Sequence, residues 1–514
     1  MLSSCRKKRV GIEEEKNTQH IETTIIEIYD VAYYKITIAK SKKLGNEMVY
    51  AYSLDKTIFD ETTKYYIEII SRQIKKKNIT SPHSLTVLPP TAKNIFSTIE
   101  KEILKIIEHD LVISKKMKDK LKKIKTYIAF FVMGIDSFYP LLIDSNIQEI
   151  YIDSEWTNPY LDHFKYGRCI VNHKFSLTEL KRLVNLAVLN GNLRLSEKTP
   201  SIKTELITDY FQIRITIDTP PITQSSYALD IRRAKKKIIT VTELLNQNVL
   251  SLEALTLLYF LMKHKVNIVI IGPPGSGKTT FANALDMLTP RYWRKIYVED
   301  VIESLDLRKY GHHQFKLKVN NLTTTKYNEI IKILHRNPDW LYLGEILTRE
   351  HSQALFHALL SGVVGLQTYH AGSPRMAISR WHNYHGIPYS IISNIGLIVS
   401  ITKHFAKSGY IFRINEISEV IPTQEEVVPI IQPLFVRDTL SDKLQFQKQH
   451  LTDVRLVNYV MKKFGLTITE INQEFERIPR IFEILVQNNI TSIKTIIDFI
   501  NDLNKSHILG GHSL

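Results

Sequence analysis

A glycine-rich turn between an apolar strand and a helix constrains the fold of this chain more than any other stretch. Residues 266–271 form a β-branched run that predicts a buried parallel strand. The run leads directly into residues 272–279, GPPGSGKT, which fit G-x-x-x-x-G-K-[ST] at every fixed position. Glycines let backbone N–H groups turn inward around phosphate oxygens, and the positive end of the following helix dipole favours the same anion. The sequence therefore predicts a phosphate-binding loop rather than a glycine-rich turn that holds no ligand.

The loop and the first turn of the helix supply the predicted nucleotide contacts. Lys278 is expected to reach the β- and γ-phosphates, and the hydroxyl of Thr279 is expected to ligate Mg²⁺. The expected ligands are therefore a nucleoside triphosphate and Mg²⁺; ATP as the nucleotide is implied by the family resemblance described below. The residues of this stretch predicted to bind them are Gly272, Pro273, Pro274, Gly275, Ser276, Gly277, Lys278, Thr279 and Thr280.

An excess of basic residues indicates which classes of partner the chain is expected to bind. The formal net charge is +16 and the pI is about 9.4, so the chain is expected to attract anionic lipid, nucleic acid or an acidic protein. No zinc-finger spacing or aromatic RNA-binding signature accompanies the lysines, so nucleic acid is not favoured. An ordinary solvated helix face is the alternative for each lysine stretch. The densest stretches are Lys75, Lys76 and Lys77, and Lys115, Lys116, Lys118, Lys120, Lys122, Lys123 and Lys125.

Cysteine content and hydropathy predict an intracellular chain. The two cysteines, Cys5 and Cys169, give neither a disulfide framework nor a metal-ligand spacing. The opening residues are basic but lack a following apolar segment, unlike a secretory signal. No apolar run approaches the roughly 20 residues of a membrane helix. A reducing, intracellular setting is therefore expected.

Hydrophobic periodicity predicts an α/β chain of several domains. Strands alternate with helices around the phosphate-binding loop, which predicts a mostly parallel sheet there. Alternation over residues 21–38 predicts strands, and two amphipathic helices are expected over residues 93–134. The expected divisions are residues 1–90, the least legible region; 91–140, a helical segment; 141–240, an α+β domain; 241–420, the phosphate-loop domain; and 421–514, a small helical domain.

Acidic residues follow two further predicted strands of the parallel sheet. Residues 294–298 lead into Glu299 and Asp300, and residues 340–344 lead into Glu345. Because the carboxyl ends of parallel strands meet at one edge of a sheet, these acids are expected beside the phosphate-binding loop. All three are predicted to support Mg²⁺, and Glu345 is also predicted to polarise the attacking water. An exposed acidic turn is the alternative for Glu299 and Asp300.

A fourth predicted strand, residues 365–369, ends at His370. A histidine in this place can contact or sense the γ-phosphate of a bound nucleotide. A structural role is the alternative, because a lone histidine at a strand end more often has one. Asp339 precedes its strand and is therefore expected at the opposite edge of the sheet.

In this order, the four motifs resemble those of the secretion superfamily ATPases, which drive type II secretion, type IV pilus assembly and the archaellum. The archaeal branch of that family is the most similar. The family's Walker A loop, acidic box, Walker B strand ending in Gly-Glu and histidine box correspond to residues 272–279, 298–303, 341–345 and 365–371. The resemblance covers about residue 125 to the C-terminus. It implies a RecA-like motor domain preceded by a smaller α+β domain with a helical extension.

The resemblance also implies an activity, partners and a place in the cell. Members of the family form hexameric rings that hydrolyse ATP and push on a polytopic membrane platform protein. They work in the cytoplasm, at the acidic inner face of the cell membrane. Arg214 and Arg232 correspond to arginines that approach the phosphates, where developing negative charge needs fixed cations; a surface ion pair is the alternative for each. The resemblance implies catalytic roles for Lys278, Glu299, Glu345 and His370.

Two departures from the family pattern keep alternative functions open. Leu347 stands where the family has an arginine, and Val363 stands where it has a histidine. Either change is expected to slow hydrolysis or alter the coupling between subunits, yet turnover is still predicted. The leading hypothesis is a motor for filament assembly or type II-like secretion. The alternatives are a type IV secretion or DNA-transfer ATPase, and a weakly hydrolysing regulatory or scaffold subunit.

Overall fold

The computed structural model divides the chain into two compact units. Unit 1 comprises Met1–Lys236 and Lys407–Tyr410, and unit 2 comprises Lys237–Ala406 and Ile411–Leu514. Cys5 lies outside the residues that the structure describes. The described residues are 23–42, 48–55, 59–77, 91–233, 238–319, 325–406, 409–423 and 427–510.

The described part of unit 1 contains a nine-stranded sheet. Its strands are β1 (Thr23–Val31), β2 (Tyr34–Lys42), β3 (Met48–Asp55), β4 (Ile147–Ile152), β5 (Tyr160–His163), β6 (Gly167–Val171), β7 (Ser201–Ile207), β8 (Gln212–Asp218) and β9 (Ala228–Arg233). They lie in the order β1-β2-β3-β6-β5-β4-β9-β8-β7. Neighbours are antiparallel except β3 and β6, which pair in parallel. The strands predicted for residues 21–38 are confirmed, and they extend the sheet of the α+β domain.

Helices pack on this sheet through regularly spaced apolar residues. The helices are α1 (Glu61–Lys76), α2 (Ala92–Lys105), α3 (Lys115–Lys123), α4 (Lys125–Met133), α5 (Tyr139–Ile143) and α6 (Leu177–Gly191). Ile67, Ile70 and Ile74 bury one face of α1. Two helices were predicted over residues 93–134, and the structure has three, α2, α3 and α4. A π-helical turn follows α2, and the helical conformation is interrupted again at Ile124, between α3 and α4.

Unit 2 is built, in its described residues, on a second nine-stranded sheet that is parallel over six strands. Its strands are β10 (Ile268–Ile271), β11 (Arg294–Glu299), β12 (His313–Lys318), β13 (Trp340–Ile346), β14 (Gly365–Tyr369), β15 (Leu397–Ala406), β16 (Gly409–Ile421), β17 (Ile430–Asp438) and β18 (Lys443–Phe446). They lie in the order β12-β11-β13-β14-β10-β15-β16-β17-β18. The parallel part runs from β12 to β15, so the carboxyl ends of β10, β11, β13 and β14 share one edge. The parallel sheet predicted around the phosphate-binding loop is confirmed.

The helices of unit 2 cover this sheet and continue into the C-terminal region. They are α7 (Val241–Asn246), α8 (Leu252–Lys263), α9 (Lys278–Asp286), α10 (Lys326–Ile333), α11 (Arg349–Leu360), α12 (Pro374–Asn383), α13 (Tyr389–Ile392), α14 (Arg455–Phe464), α15 (Ile468–Gln487) and α16 (Ile493–Gly510). Helix α8 is buried on nearly all sides. The rings of Phe260 on α8 and Phe475 on α15 lie 4.8 Å apart between centroids.

The region predicted as helical from residue 421 differs from that expectation at its start. Strands β17 and β18 precede the three helices and pair antiparallel with the edge of the sheet. Pro433 lies within β17, and a proline inside a run argues against a strand when only the sequence is considered.

Within the described residues, none of the helices combines the length and the apolar character that a membrane span requires.

Candidate nucleotide-binding site

The loop after β10 turns at glycines where either the backbone angle or a close backbone contact disfavours a side chain. Gly275 and Gly277 have positive φ angles of 70° and 92°, which residues with a Cβ rarely adopt. A Cβ on Gly272 would lie 2.2 Å from the backbone oxygen of Ile401. Helix α9 begins directly after the loop, so its unpaired N-terminal N–H groups face the same space. The backbone therefore has the form expected of an anion-binding loop.

Two polar side chains inside the loop are placed to meet an anion. The ammonium of Lys278 donates to the backbone oxygens of Gly272 and Pro273, at 2.9 and 2.8 Å. The hydroxyl of Ser276 is buried and has no hydrogen-bond partner among the described residues. A buried hydroxyl without a partner costs free energy, and a phosphate oxygen would satisfy it. Together with the glycine turn, this orphaned hydroxyl fits a nucleotide phosphate.

A chain of hydrogen bonds connects Lys278 to the end of β13. Lys278 Nζ lies 3.1 Å from His370 Nδ1 and donates to it. The other ring nitrogen, Nε2, therefore carries the proton and donates to Glu345 Oε1. Burial acts to raise the pKa of Glu345, but the hydrogen bond from His370 and the charges of Lys278 and Lys326 outweigh it and lower that pKa. The structure thus brings Lys278, His370 and Glu345 together, with Glu345 held as a carboxylate.

Glu299 lies at the same edge of the sheet but faces its own following loop. Its side chain is 1% exposed. Oε1 accepts the backbone N–H groups of Glu303 and Ser304 at 3.0 and 2.9 Å, and Oε2 accepts the Ser304 hydroxyl at 2.5 Å. Burial raises the pKa of Glu299 against the effect of these hydrogen bonds. In this arrangement both oxygens of the predicted metal-supporting acid hold the turn after β11.

Asp300 is bound by a lysine that lies outside the sequence motifs. Lys326, the first residue of α10, donates from Nζ to Asp300 Oδ2 at 2.6 Å and to the backbone oxygen of Glu345 at 2.6 Å. Its side chain is 1% exposed. A lone lysine at a helix start has no sequence signature, so only the fold reveals that it joins two strand ends.

The end of β13 is a β-bulge held by side chains. The pairing of β13 with β14 shifts between Leu343 and Ile346, which leaves Gly344 and Glu345 outside the ladder. The hydroxyl of Thr368 donates to the backbone oxygen of Gly344, and Lys326 occupies that of Glu345. A β-bulge re-aims the side chain that it carries. Here the bulge directs Glu345 to His370.

The remaining predicted cofactor contacts fit Mg²⁺ bound through the nucleotide. Thr279 and Thr280 are half-buried in the first turn of α9. Within the described segments, no group of three or more His, Cys, Asp or Glu side chains could hold a metal ion by itself. Magnesium in nucleotide sites takes one or two protein ligands and completes its shell with phosphates and water. The Thr279 hydroxyl beside a bound phosphate meets that requirement.

Arg214 and Arg232 belong to unit 1 and lie opposite each other on β8 and β9. Arg214 Nε is 3.8 Å from Glu205 Oε1, and Arg232 Nε is 3.5 Å from Glu149 Oε1. These are long, partly exposed ion pairs of the kind that contributes little to stability. Their approach to the phosphates stays a prediction.

A family model described as "Type II/IV secretion system protein" matches residues 175–412, from α6 to β16. The chain carries a type II/IV secretion system protein domain. The match includes the loop, Lys326, the β13 bulge and His370.

Relatives of the chain come from archaea and bacteria. An uncharacterized protein of Methanocaldococcus jannaschii is 24% identical over 245 residues, which are 45% of this chain and 86% of that protein. A second uncharacterized protein of the same organism is 24% identical over 408 residues, 73% of this chain and 53% of that protein. Type II secretion system protein E of Klebsiella pneumoniae is 33% identical over 134 residues, 26% of each chain. The chain thus spans about half of the second relative and about a quarter of the third.

The solved structures that match the chain include an ATPase and a pilus retraction motor. The Legionella pneumophila ATPase DotB shares 15% identity and has a TM-score of 0.41, with 65% of this chain and 86% of that chain covered. The pilus retraction motor PilT with bound ADP shares 14% identity and has a TM-score of 0.40, with 65% and 88% covered.

Proposed function

We propose that this chain is a Mg-ATP-hydrolysing motor that powers assembly of a type IV pilus-like filament or type II-like secretion. One observation carries the proposal: Lys278 of the phosphate-binding loop, His370 and Glu345 form one hydrogen-bonded chain. A loop that only bound nucleotide would not need an ionised acid joined to its lysine. The names of the relatives, among them a type II secretion protein E, support the biological setting.

In the proposed reaction, the loop binds ATP and the three linked side chains act on its terminal phosphate. Lys278 exchanges the backbone oxygens of Gly272 and Pro273 for phosphate oxygens, because a charged acceptor is stronger than a neutral one. Glu345, kept ionised by its neighbours, orients and polarises the attacking water. The Thr279 hydroxyl would help to hold Mg²⁺, which would neutralise the charge that develops on the phosphates. The hydrogen bond between Lys278 and His370 breaks as the lysine moves to the phosphate. Because His370 also donates to Glu345, phosphate binding is thereby linked to the orientation of the Glu345 carboxylate.

The acids after β11 have separate proposed roles. Glu299 holds the turn that follows it, through Glu303 and Ser304, so that the site keeps its shape. Asp300 is only half-buried and remains close enough to Glu345 to share Lys326. We assign Asp300 to the water shell of the metal, and Arg214 and Arg232 to charge stabilisation from unit 1.

The proposed working form is a homo-hexamer at the cytoplasmic, acidic face of the membrane. There, closure around ATP in successive subunits would push on a polytopic platform protein. The net charge of +16 supports attraction to anionic lipid. The family name, which covers secretion systems, supports a membrane partner.

The proposal is tested by comparing ATP binding and phosphate release in two variants of the purified full chain. Lys278→Ala should weaken ATP binding at least about tenfold, because a charged hydrogen-bond donor to phosphate is lost. Glu345→Gln should keep ATP binding and lower the hydrolysis rate at least about 100-fold, because the water loses its acceptor.

Matched surface changes control for the substitutions themselves. Lys332→Ala and Glu476→Gln remove exposed charges on α10 and α15 and should leave both measurements unchanged. Hydrolysis by Lys278→Ala at the native rate would contradict the loop assignment.

A second function is favoured by the two departures from the family pattern. Leu347 is exposed directly after the bulge, where a cation is expected, and Val363 replaces a histidine. If the native protein bound ATP but released phosphate as slowly as Glu345→Gln, a nucleotide-binding scaffold subunit would be the better assignment. A type IV secretion or DNA-transfer role would instead be favoured by relaxase or coupling-ATPase genes beside the gene for this chain.

A further inference from the structure

Lys326 occupies a place in which a buried cation joins two neighbouring strands. Its ammonium contacts Asp300 Oδ2 and the backbone oxygen of Glu345, both at 2.6 Å. Asp300 follows β11, Glu345 is the next-to-last residue of β13, and these strands are neighbours in the sheet. Burying an ammonium is costly unless charge and hydrogen bonds compensate it. Here a carboxylate and a backbone carbonyl do so, and the lysine is therefore bound in one geometry.

The backbone that Lys326 contacts has lost its ladder partner. The bulge at Gly344 and Glu345 interrupts pairing with β14, so their carbonyl groups need other donors. Thr368 supplies one for Gly344, and Lys326 supplies the one for Glu345. Without the lysine, the Glu345 carbonyl would lose this donor. The contacts of Thr368 with Gly344 and of His370 with Glu345 would then have to hold the bulge without it.

We propose that Lys326 is a positioning residue that holds the Glu345 bulge against Asp300 and so keeps the Glu345 carboxylate aimed at His370 and the phosphate-binding loop. The inference rests on the proposed function where it concerns turnover. Its structural part, the restraint of the bulge, stands independently of ATP hydrolysis. Lys326 itself contacts neither Lys278 nor the loop in the described hydrogen bonds.

The charges around Glu345 come from several elements, and Lys326 is one of them. His370 lies at the end of β14 and Lys278 at the start of α9, and both favour the carboxylate. On α11, His351 accepts the backbone N–H of Leu347 at 3.4 Å through Nδ1. Burial lowers the pKa of His351, and the charge of Lys326 lowers it further, against the carboxylates of Asp300, Glu350 and Glu345. Removing Lys326 would therefore withdraw a cation from Glu345 and would also remove one of the two causes that lower the pKa of His351.

Three full-length variants test the positioning role. Lys326→Met keeps the length of the side chain but removes its donors, Lys326→Arg restores donors and charge, and Lys332→Met removes an exposed lysine from the same helix. The measurements are kcat and KM for ATP from pH 5 to 9, the Kd for ATP, and hydrogen exchange of peptides covering residues 299–304 and 344–348.

Lys326→Met is expected to lower kcat about 30-fold while the Kd for ATP changes less than about threefold, because misaimed catalytic groups cost rate rather than binding. The acidic limb of the pH profile of kcat should move to higher pH, because a cation that favours the Glu345 carboxylate is lost. Amide exchange over residues 344–348 should become faster. Lys326→Arg should recover kcat to within about fivefold of the native value, and Lys332→Met should match the native protein.

Two results would overturn the inference. One is a native kcat in Lys326→Met; the other is a loss that Lys326→Arg does not reverse and that parallels a loss of folded protein. If the native chain itself shows no turnover, the proposed function fails, and hydrogen exchange alone decides the structural part. Equal exchange over residues 344–348 in Lys326→Met and Lys332→Met would then refute the restraint.

Discussion

At the scale of single residues, unit 2 contains two kinds of buried titratable group between α9 and β12. Lys295 is fully buried, but its ammonium lies 3.1 Å from Asp286 Oδ1 and 2.8 Å from Thr289 Oγ1. Tyr297 also donates to Asp286, at 2.6 Å. His312 is 4% exposed, and neither ring nitrogen has a hydrogen-bond partner among the described residues. The carboxylate of Asp286 and the hydroxyl of Thr289 therefore compensate the cost of burying the Lys295 ammonium, whereas His312 can be buried at low cost only in its neutral form.

His312 should make the stability of the protein fall in mild acid. Burial, followed by the charges of Lys295 and Arg291, lowers the pKa of His312 to about 2. The unfolded chain binds this proton below about pH 6.5, and the folded chain does not, so stability decreases as the pH falls through 6.5. Between pH 7 and 5 this residue should cost about 2 kcal/mol of unfolding free energy.

Urea unfolding of His312→Phe at pH 5, 6, 7 and 8 measures this contribution. The variant should lose about 2 kcal/mol less than the native chain between pH 7 and 5. His313→Phe changes the neighbouring exposed histidine and should keep the native pH dependence. An unchanged pH dependence in His312→Phe would mean that the histidine is hydrated or paired in solution.

The sequence predicted the residues whose chemistry follows a spaced motif, and not those that depend on tertiary contacts. Lys278, His370 and Glu345 were predicted at one sheet edge, and the structure brings them together. Glu299 was predicted at that edge too, but which way its oxygens face depends on Ser304, five residues on. Lys326 was not predicted because its partners come from two strands that only the sheet brings side by side. Their functional roles stay predictions.

At the scale of elements, the approach of β14 to β13 depends on one glycine. Gly365 begins β14 opposite Leu341, and a Cβ there would lie 1.7 Å from the Leu341 backbone oxygen. A glycine inside a strand often marks such a close approach. The position of β14 matters because this strand carries Thr368 and His370 into the site.

Gly365→Ala should destabilise unit 2 by at least about 3 kcal/mol, because two backbones must separate to admit the methyl group. Chemical unfolding and the yield of folded protein measure the effect. Gly372→Ala is the matched control, since the nearest atom to its Cβ would be the Met376 sulfur at 3.3 Å, and a flexible side chain can move. Native stability of Gly365→Ala would show that β13 and β14 do not pair in this register.

Strands were predicted best where both faces are buried and worst where pairing is distant or interrupted. Strand β10 has four buried residues in succession, which is the pattern of a central parallel strand. Strand β3, by contrast, pairs with β6 across more than 100 residues of chain. No local periodicity specifies such a partner. Strand β17 contains a proline and alternates poorly, so its place at the edge of the sheet depends on tertiary packing.

At the scale of the whole molecule, part of the positive charge that the sequence places in one lysine-rich stretch is paired with carboxylates in the structure. Helix α3 carries six lysines in nine residues. In this segment Lys120 pairs with Asp60 at 2.6 Å, Lys125 of α4 pairs with Glu100 at 2.7 Å, and Lys122 pairs with Glu108. The exposed lysines of the stretch are the adjacent Lys115 and Lys116 at the start of α3, and Lys123 at its end.

Anionic vesicles should bind the full chain chiefly through the start of α3. Each lysine near such a surface contributes about 1 kcal/mol, so Lys115→Glu with Lys116→Glu should weaken binding at least about tenfold. Lys75→Glu with Lys76→Glu makes the same charge change on α1, where acidic residues of the helix already dilute the potential, and should weaken binding less than about threefold. Sedimentation with phosphatidylglycerol vesicles at 0.1 M salt measures both, and neutral vesicles should not bind. Equal losses in the two double variants would mean that net charge alone attracts the chain to lipid. In that case α3 would be a solvated helix face.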